Sequence, residues 1–349
     1  MTPVTPSSAA REQEETTAVV ADPAGSSTET TAESSTGSTP DTTRRPRPVA
    51  VPLGLLKAMR PRQWVKNILV LAAPFAAGRL FDLTVLPDVA LAFVAFSLAA
   101  SGVYLINDTK DVEADRAHPK KKNRPIAAGI VPPALAVVTG IVLFAAALGV
   151  SLLADPDLLL VTAIYIVVQL AYCLWLKHEP VIDICIVSSG FLMRAIAGGA
   201  AAGLPLSPWF LLTMAFGSLF MASGKRYAEM RLAERTGAKI RKSLERYSAS
   251  YLRFVWSLSA TVVIMAYGLW AFGIGVTATP GRMPTSPSTW AIVSIVPFVV
   301  AILRYAVDVD GGNGGEPEEI VLGDRVLQVL GLVWVALIGL AVYFAPGIA

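Results

Sequence analysis

Histidine and cysteine are scarce in this chain, two of each in 349 residues. Neither Cys173 nor Cys185 stands at CxxC or Cys/His spacing, which argues against a zinc centre. Both lie in apolar stretches and are expected as small buried hydrophobes. His118 sits in its loop without a second histidine nearby, so acid–base chemistry built on imidazole has little support. Charge is also in short supply. Charged residues make up 16% of the chain and hydrophobic residues 54%, against about 25% charged in an ordinary soluble domain. Soluble architecture is thereby disfavoured, and no nucleic-acid partner is expected. Residues 1–48 lack almost any large apolar side chain and carry no apolar core of a secretion signal. Rich in Ser, Thr, Glu and Pro, they cannot bury enough surface to offset ordering entropy. A disordered cytoplasmic tail is expected there, with residues 49–349 as a separate domain.

Long apolar runs begin after Leu53. Nine candidate spans emerge, at roughly 63–78, 86–106, 130–153, 158–176, 181–203, 208–224, 254–275, 289–303 and 326–346, with the first and eighth short for the roughly 30 Å hydrocarbon layer. The expected fold class is therefore all-α, a polytopic membrane protein. Basic residues gather before the first span (Arg44, Arg45, Arg47, Lys57, Arg60, Arg62), after the second (Lys110 to Arg124) and after the sixth (Lys225 to Arg253). Opposite connections hold only Arg79 and Arg282. Lys and Arg accumulate on the cytoplasmic side, which places the N-terminus inside. The two charged loops recur four spans apart, implying two similar four-helix halves.

The segment Leu105–Gly129 carries the densest chemistry. On a helix at about 100° per residue, Asn107, Asp108, Asp111 and Asp115 fall in one quadrant and Glu113 faces away. Three carboxylates on one stripe repel one another unless a cation joins them. Mg²⁺ suits such oxygens and is typically shared between one or two carboxylates and substrate phosphates. A solvated helix end would also carry aspartates. Here the stripe adjoins a membrane span and leads into Arg116, Lys120, Lys121, Lys122 and Arg124. The positive-inside bias accounts for some of these. Arg124 and a lysine such as Lys120 are the candidates for phosphate, because a proline-broken loop can fold back over the stripe. Arg194 lies about nine residues, or roughly 14 Å, inside the fifth span, where a charge generally faces a cavity or a partner. Lys177 and Tyr172 are candidate cavity-wall residues. Glu316, Glu318, Glu319, Asp324 and Arg325 are adequately explained by pairing at a helix start.

The pattern Asn107-Asp108-x-x-Asp111-x-x-x-Asp115 resembles the first aspartate-rich motif of the UbiA superfamily of intramembrane prenyltransferases. That resemblance implies nine transmembrane helices, a central cavity open to the cytoplasmic side, and Mg²⁺-diphosphate held between motifs after helices two and six. The second motif departs: Gly224-Lys225-Arg226-Tyr227-Ala228-Glu229 is basic where aromatic prenyltransferases are acidic. With Arg60-Pro61-Arg62-Gln63-Trp64-Val65-Lys66-Asn67 and Ser189–Ala195, it looks like the branch that makes decaprenylphosphoryl-β-D-5-phosphoribose in the plasma membrane for arabinan synthesis. The resemblance implies phosphoribosyl diphosphate and a polyprenyl phosphate as substrates, with Mg²⁺ as cofactor. Asp108, Asp111 and Asp115 would be catalytic and hold the metal. Asn107, Lys66, Arg62, Lys120, Arg124, Lys177, Arg194, Lys225, Arg226, Tyr227 and Glu229 would bind substrate. Membrane lipids are the expected surroundings, and self-association stays open. Three phosphate-bearing groups in one cavity require more cations, which Arg and Lys supply in place of a second acidic motif. The rival expectations are a prenyltransferase with an aromatic acceptor and a transporter for an organic anion or lipid. The arrangement of a CDP-alcohol phosphotransferase is absent.

Overall fold

The computed structural model describes residues 50–237, 244–276, 288–311 and 317–344, with side chains of 317–319 excepted. The tail assigned to residues 1–48 lies outside them, as do Lys239, Arg241, Lys242, Arg282 and Glu316. All regular structure among the described residues is helical. Helix α1 (Ala50–Ala58) leads into a 3₁₀ helix, Pro61–Leu71, which continues as α2 (Ala72–Ala76). The long elements are α3 (Leu86–Lys110), α5 (Pro133–Ala154), α6 (Pro156–Leu174), α7 (Ile182–Ala201), α8 (Pro208–Thr236), α9 (Ala249–Gly273), α10 (Thr289–Asp310) and α12 (Arg325–Tyr343). Short α4 (Val112–Ala117) follows α3, and short α11 (Pro317–Gly323) precedes α12.

Local chemistry explains the starts. Proline occupies the first turn of α3, α5, α6 and α8, where its missing N–H is no loss. Asp155 accepts from the Asp157 N–H at 2.7 Å, and Asp324 from the Val326 N–H at 2.8 Å, satisfying donors that a helix start leaves unpaired.

Seven of these helices, α3, α5, α6, α7, α9, α10 and α12, are long and apolar enough to cross a membrane. The other two expected spans take different forms. Of residues 63–78, all but the turn at Ala77 and Gly78 fall in the 3₁₀ helix and α2, which together run from Pro61 to Ala76. At about 2.0 Å rise per 3₁₀ residue and about 1.5 Å per α residue, sixteen such residues reach about 30 Å. Residues 208–224 are the first half of α8, which does not stop at Gly224 but runs on to Thr236. The cations Lys225, Arg226, Arg231 and Arg235 are therefore helical rather than in a loop. Ala228, Glu229, Met230, Leu232 and Ala233 are good helix formers, Arg231 pairs with Glu234 at 3.2 Å, and Gly237 at φ 64° closes the end.

The most extensive helix pairings are α3 with α5 and α8 with α9, spans two and three against six and seven, as a four-span repeat requires. Small residues permit close approach, as at membrane helix interfaces generally. A Cβ on Gly198 of α7 would stand 1.7 Å from the Val70 carbonyl oxygen. Cys173 is buried, but Cys185 is exposed. That corrects the expectation for Cys185: an apolar run in a membrane protein does not distinguish the bundle interior from the lipid face.

Candidate active site

The acidic stripe survives a break in its helix. Helix α3 ends at Lys110, Asp111 adopts φ −95° and ψ 10°, and α4 resumes at Val112. The Asp111 N–H still bonds Asn107 O at 3.0 Å, and the Asp115 N–H bonds Asp111 O at 2.8 Å, so the helical spacing continues. Asp108 and Asp115 are each 2% exposed. Glu113 is exposed and pairs with Arg116 at 3.0 Å.

The following loop returns over the stripe. Ile126 and Val131 are fully buried against Leu105, Ala58 and Ala136, and this apolar anchor brings Arg124 back. Its Nη1 lies 3.1 Å from Asp108 Oδ1 and 2.7 Å from Asp115 Oδ2. Arg60 Nη2 reaches Asp108 Oδ1 at 2.6 Å, with its guanidinium 4.6 Å from the Tyr104 ring centroid. Lys177, just past α6, hydrogen-bonds Asp111. Lys121 Nζ is 4.0 Å from Asp115. The cations that three clustered carboxylates demand are thus present as side chains. Arg60 holds its place at a cost: it is left-handed, φ 55° and ψ 60°, immediately before Pro61, a conformation that costs of order 1–3 kcal/mol and collects at functional sites.

Lys120 and Arg62 are exposed and stand apart from this cluster. His118 Nδ1 accepts the Lys120 and Lys121 N–H groups at 3.2 and 3.3 Å, so it shapes its own loop.

Arg226 on α8 is buried and stands 3.1 Å from Asp183 Oδ2 at the start of α7, with the Tyr172 hydroxyl beside it. Tyr247 donates to Asp183 Oδ1 and accepts the Val181 N–H. Burial, and then donation to Asp183, push the Tyr247 hydroxyl above its ordinary range. Tyr227 turns from this group: its hydroxyl donates to Asp310 at 2.8 Å and its ring stacks on Trp256. Arg194 is buried within α7, donating from Nε to Asn67 Oδ1 at 2.7 Å, from Nη1 to Gly190 O at 2.5 Å and from Nη2 to Tyr165 at 3.4 Å.

Lys66 and Lys225 line an apolar cavity of about 760 Å³. Its walls include Leu69, Phe75, Phe191, Met214, Trp270 and Trp334, and these two lysines are its only charged lining residues among those described. Glu229 follows Lys225 one helical turn later on α8. Asp183 and Tyr247 were not singled out from sequence, and Arg60 and Asn67 stood in the stretch that carries the resemblance without a role of their own. Asp183 did leave a signal, a carboxylate in the first turn of an apolar helix. Arg60 was absorbed into the basic count of its segment.

No group of three or more His, Cys, Asp or Glu side chains is placed to hold a metal unaided among the described residues. The donor set nonetheless fits a divalent cation shared with phosphate. Asp108 and Asp115 already converge on one cationic nitrogen, Arg124 Nη1.

Residues 68–316 match the model of the UbiA prenyltransferase family. The chain is 61% identical over 296 residues to a decaprenyl-phosphate phosphoribosyltransferase from Mycolicibacterium smegmatis, covering 84% of this chain and 93% of that protein. It is 58% identical to the Mycobacterium tuberculosis protein of the same name, covering 85% and 97%, and 54% identical to that of Corynebacterium glutamicum, covering 90% and 95%. In fold it is similar to a UbiA homolog from Archaeoglobus fulgidus solved with GPP and Mg²⁺, at TM-score 0.60 and 15% identity, covering 83% of this chain and 99% of that one. These relatives agree with the resemblance drawn from the Asn107–Asp115 motif, including its phosphoribosyl branch. The chain belongs to the UbiA prenyltransferase family.

Proposed function

We propose that this chain transfers 5-phosphoribose from phosphoribosyl diphosphate to a polyprenyl phosphate, decaprenyl phosphate by analogy with its relatives, and releases diphosphate. The observation that carries this reading is the division of cations into two sets. Arg60, Arg124 and Lys177 cover the acidic stripe, while Lys66 and Lys225 mark the apolar cavity. A neutral aromatic acceptor has no use for the second set. A lipid phosphate needs both a charge-bearing contact and an apolar trough for its chain.

The donor's diphosphate binds at the stripe by an exchange of partners. Arg124, Arg60 and Lys177 pass from carboxylate to phosphate oxygens, which they match in charge and, for the arginines, in planar fork geometry. Asp108, Asp111 and Asp115 would hold Mg²⁺, which when bound with the diphosphate supplies charge neutralisation at the leaving group. Lys225 and Lys66 hold the lipid phosphate. One of its oxygens attacks ribose C1 as the bond from C1 to the diphosphate oxygen breaks, and the electron pair departs with diphosphate. Attack from the opposite face converts an α donor into a β product. The lipid phosphate is already an anion near neutral pH, so no general base is required.

The basic ends of α3 and α8 support a cytoplasmic side for this site by the positive-inside rule. With the 3₁₀–α2 segment and the first half of α8 counted beside the seven long apolar helices, the reading is nine spans, with the N-terminus inside and the chain in the plasma membrane. Arg194, the one charge that invited a transporter reading, donates to Asn67, Gly190 and Tyr165, with no carboxylate in ion-pair range among the described residues. A donor-choice assay tests the proposal. Purified protein is offered phosphoribosyl diphosphate with polyprenyl phosphate, or an allylic diphosphate with a neutral aromatic acceptor, each with Mg²⁺. Turnover of the second pair alone would overturn it.

A further inference from the structure

The first expected span opens as a 3₁₀ helix of 11 residues, where runs beyond three or four are uncommon. With about three residues per turn, side chains three apart eclipse one another, and the segment sorts accordingly. Trp64, half-buried, shares one face with Asn67 and Val70, which are both 0% exposed. Lys66, Leu69 and Ala72 line the apolar cavity. Arg62, Val65 and Ile68 are more exposed, and Val65 and Ile68 also border the cavity. An α-helix would not keep these faces, because each three-residue step slips by about 60° at 3.6 residues per turn. Trp64 and Asn67 could then not both bond α3, and Lys66 would lose an anchor that holds its stretch of chain in place.

The buried face is fastened by polar bonds. Trp64 Nε1 donates to Ser101 Oγ at 3.0 Å, and Asn67 Nδ2 donates to Ser97 Oγ at 2.9 Å, both on α3. Asn67 Oδ1 accepts from Arg194 Nε at 2.7 Å. Arg194 meets no carboxylate among the described residues. Its other donors reach Gly190 O and Tyr165 OH, and its guanidinium carbon lies 5.4 and 5.7 Å from the Tyr165 and Phe191 ring centroids. Phe191 also lines the cavity and lies 6.0 Å from Lys66 Nζ. A charge held this deep generally serves a cavity or a partner; here the partner is the amide that fixes the 3₁₀ register.

We propose that Asn67 and Arg194 are positioning residues that lock the first span as a 3₁₀ helix and so hold Lys66 in the cavity, setting affinity for the phosphate of the lipid acceptor. The inference rests on the reading of Lys66 as a phosphate ligand.

The test uses the full chain in lipid nanodiscs, with KM measured for both substrates in Lys66→Met, Asn67→Leu, Arg194→Gln, Ser97→Ala and the Lys66→Met/Asn67→Leu pair. Lys66→Met should raise the KM for polyprenyl phosphate roughly tenfold or more. Asn67→Leu and Arg194→Gln should raise that same KM by about fivefold or more while leaving the KM for phosphoribosyl diphosphate within about twofold. The pair should be no worse than Lys66→Met alone, as for residues acting as one unit. Ser97→Ala removes one hydroxyl and is chosen to fold should the others not; it should raise the lipid KM by about twofold to fivefold. An unchanged lipid KM in Lys66→Met would overturn the phosphate reading beneath the inference. A raised lipid KM in Lys66→Met, but not in the Asn67, Arg194 and Ser97 variants, would overturn the positioning role alone. Equal effects on both substrates, or effects that add to Lys66→Met, would reduce the network to packing.

Discussion

Arg226 Nη2 stands 3.1 Å from Asp183 Oδ2, a buried guanidinium against a buried carboxylate that Tyr247 also bonds. The neighbouring residue on α8, Lys225, lines the apolar cavity. Two adjacent cations therefore stand in different surroundings. Arg226 pairs α8 with the start of α7, and in the function proposed above the lipid phosphate is assigned to Lys225.

Removing one member of a buried pair leaves the other uncompensated, at about 3–5 kcal/mol. Arg226→Met should accordingly lower the thermal midpoint of the purified protein, and Asp183→Asn combined with it should recover much of the loss. Lys225→Met should leave the midpoint nearly unchanged and raise the lipid KM about tenfold to a hundredfold, the range of a lost charged hydrogen bond. Equal midpoints for Arg226→Met and wild type would show the pair to be dispensable.

Asp111→Asn should cut turnover severely, with partial recovery at raised Mg²⁺, because it removes an oxygen donor and releases Lys177. Raised Mg²⁺ should not rescue Lys225→Met. Titrating Mg²⁺ against rate for the two variants distinguishes metal from phosphate contact, and rescue of both would merge the roles assigned separately.

Arg124→Met strips the bridge between Asp108 and Asp115 and the donor contact proposed for Arg124. The KM for phosphoribosyl diphosphate should rise about tenfold or more with the lipid KM little changed. A selective rise in the lipid KM would reverse the assignment of the two ends of the site.

Tyr247 titrates above its ordinary range. A raised folded-state value means that its contribution is fully present below the unfolded value, about 10, and is lost only as pH rises through the elevated one. Tyr247→Phe should therefore lower the thermal midpoint equally at about pH 6 and pH 9. A difference between wild type and variant that shrinks by pH 9 would contradict this.

How much of this was legible in sequence depended on whether a residue's role was local. Asn107, Asp108, Asp111 and Asp115 lie within three helical turns, so their shared face followed from periodicity and survived the break at Asp111. The all-helical membrane architecture followed from the apolar runs. Asp183 and Arg226 are 43 positions apart and meet only because α7 packs on α8, a pairing that periodicity does not encode. The 3₁₀ form of Pro61–Leu71 was equally hidden, since its bonds run from Trp64 and Asn67 to α3 and from Arg194 back to Asn67. Tyr227 shares a charged pentapeptide with Lys225, yet half a turn of helix directs it to Asp310 instead.

The most direct measurement is product mass. Purified protein is incubated with phosphoribosyl diphosphate carrying label in the ribose, decaprenyl phosphate and Mg²⁺, and the lipid fraction is weighed by mass spectrometry while released diphosphate is counted. The expected result is a lipid heavier by one phosphoribosyl group, with one diphosphate released per lipid formed and neither product without the lipid acceptor. Diphosphate release with no labelled lipid, or no consumption of the donor by protein that is folded and metal-replete, would contradict the phosphoribosyl transfer proposed for this site.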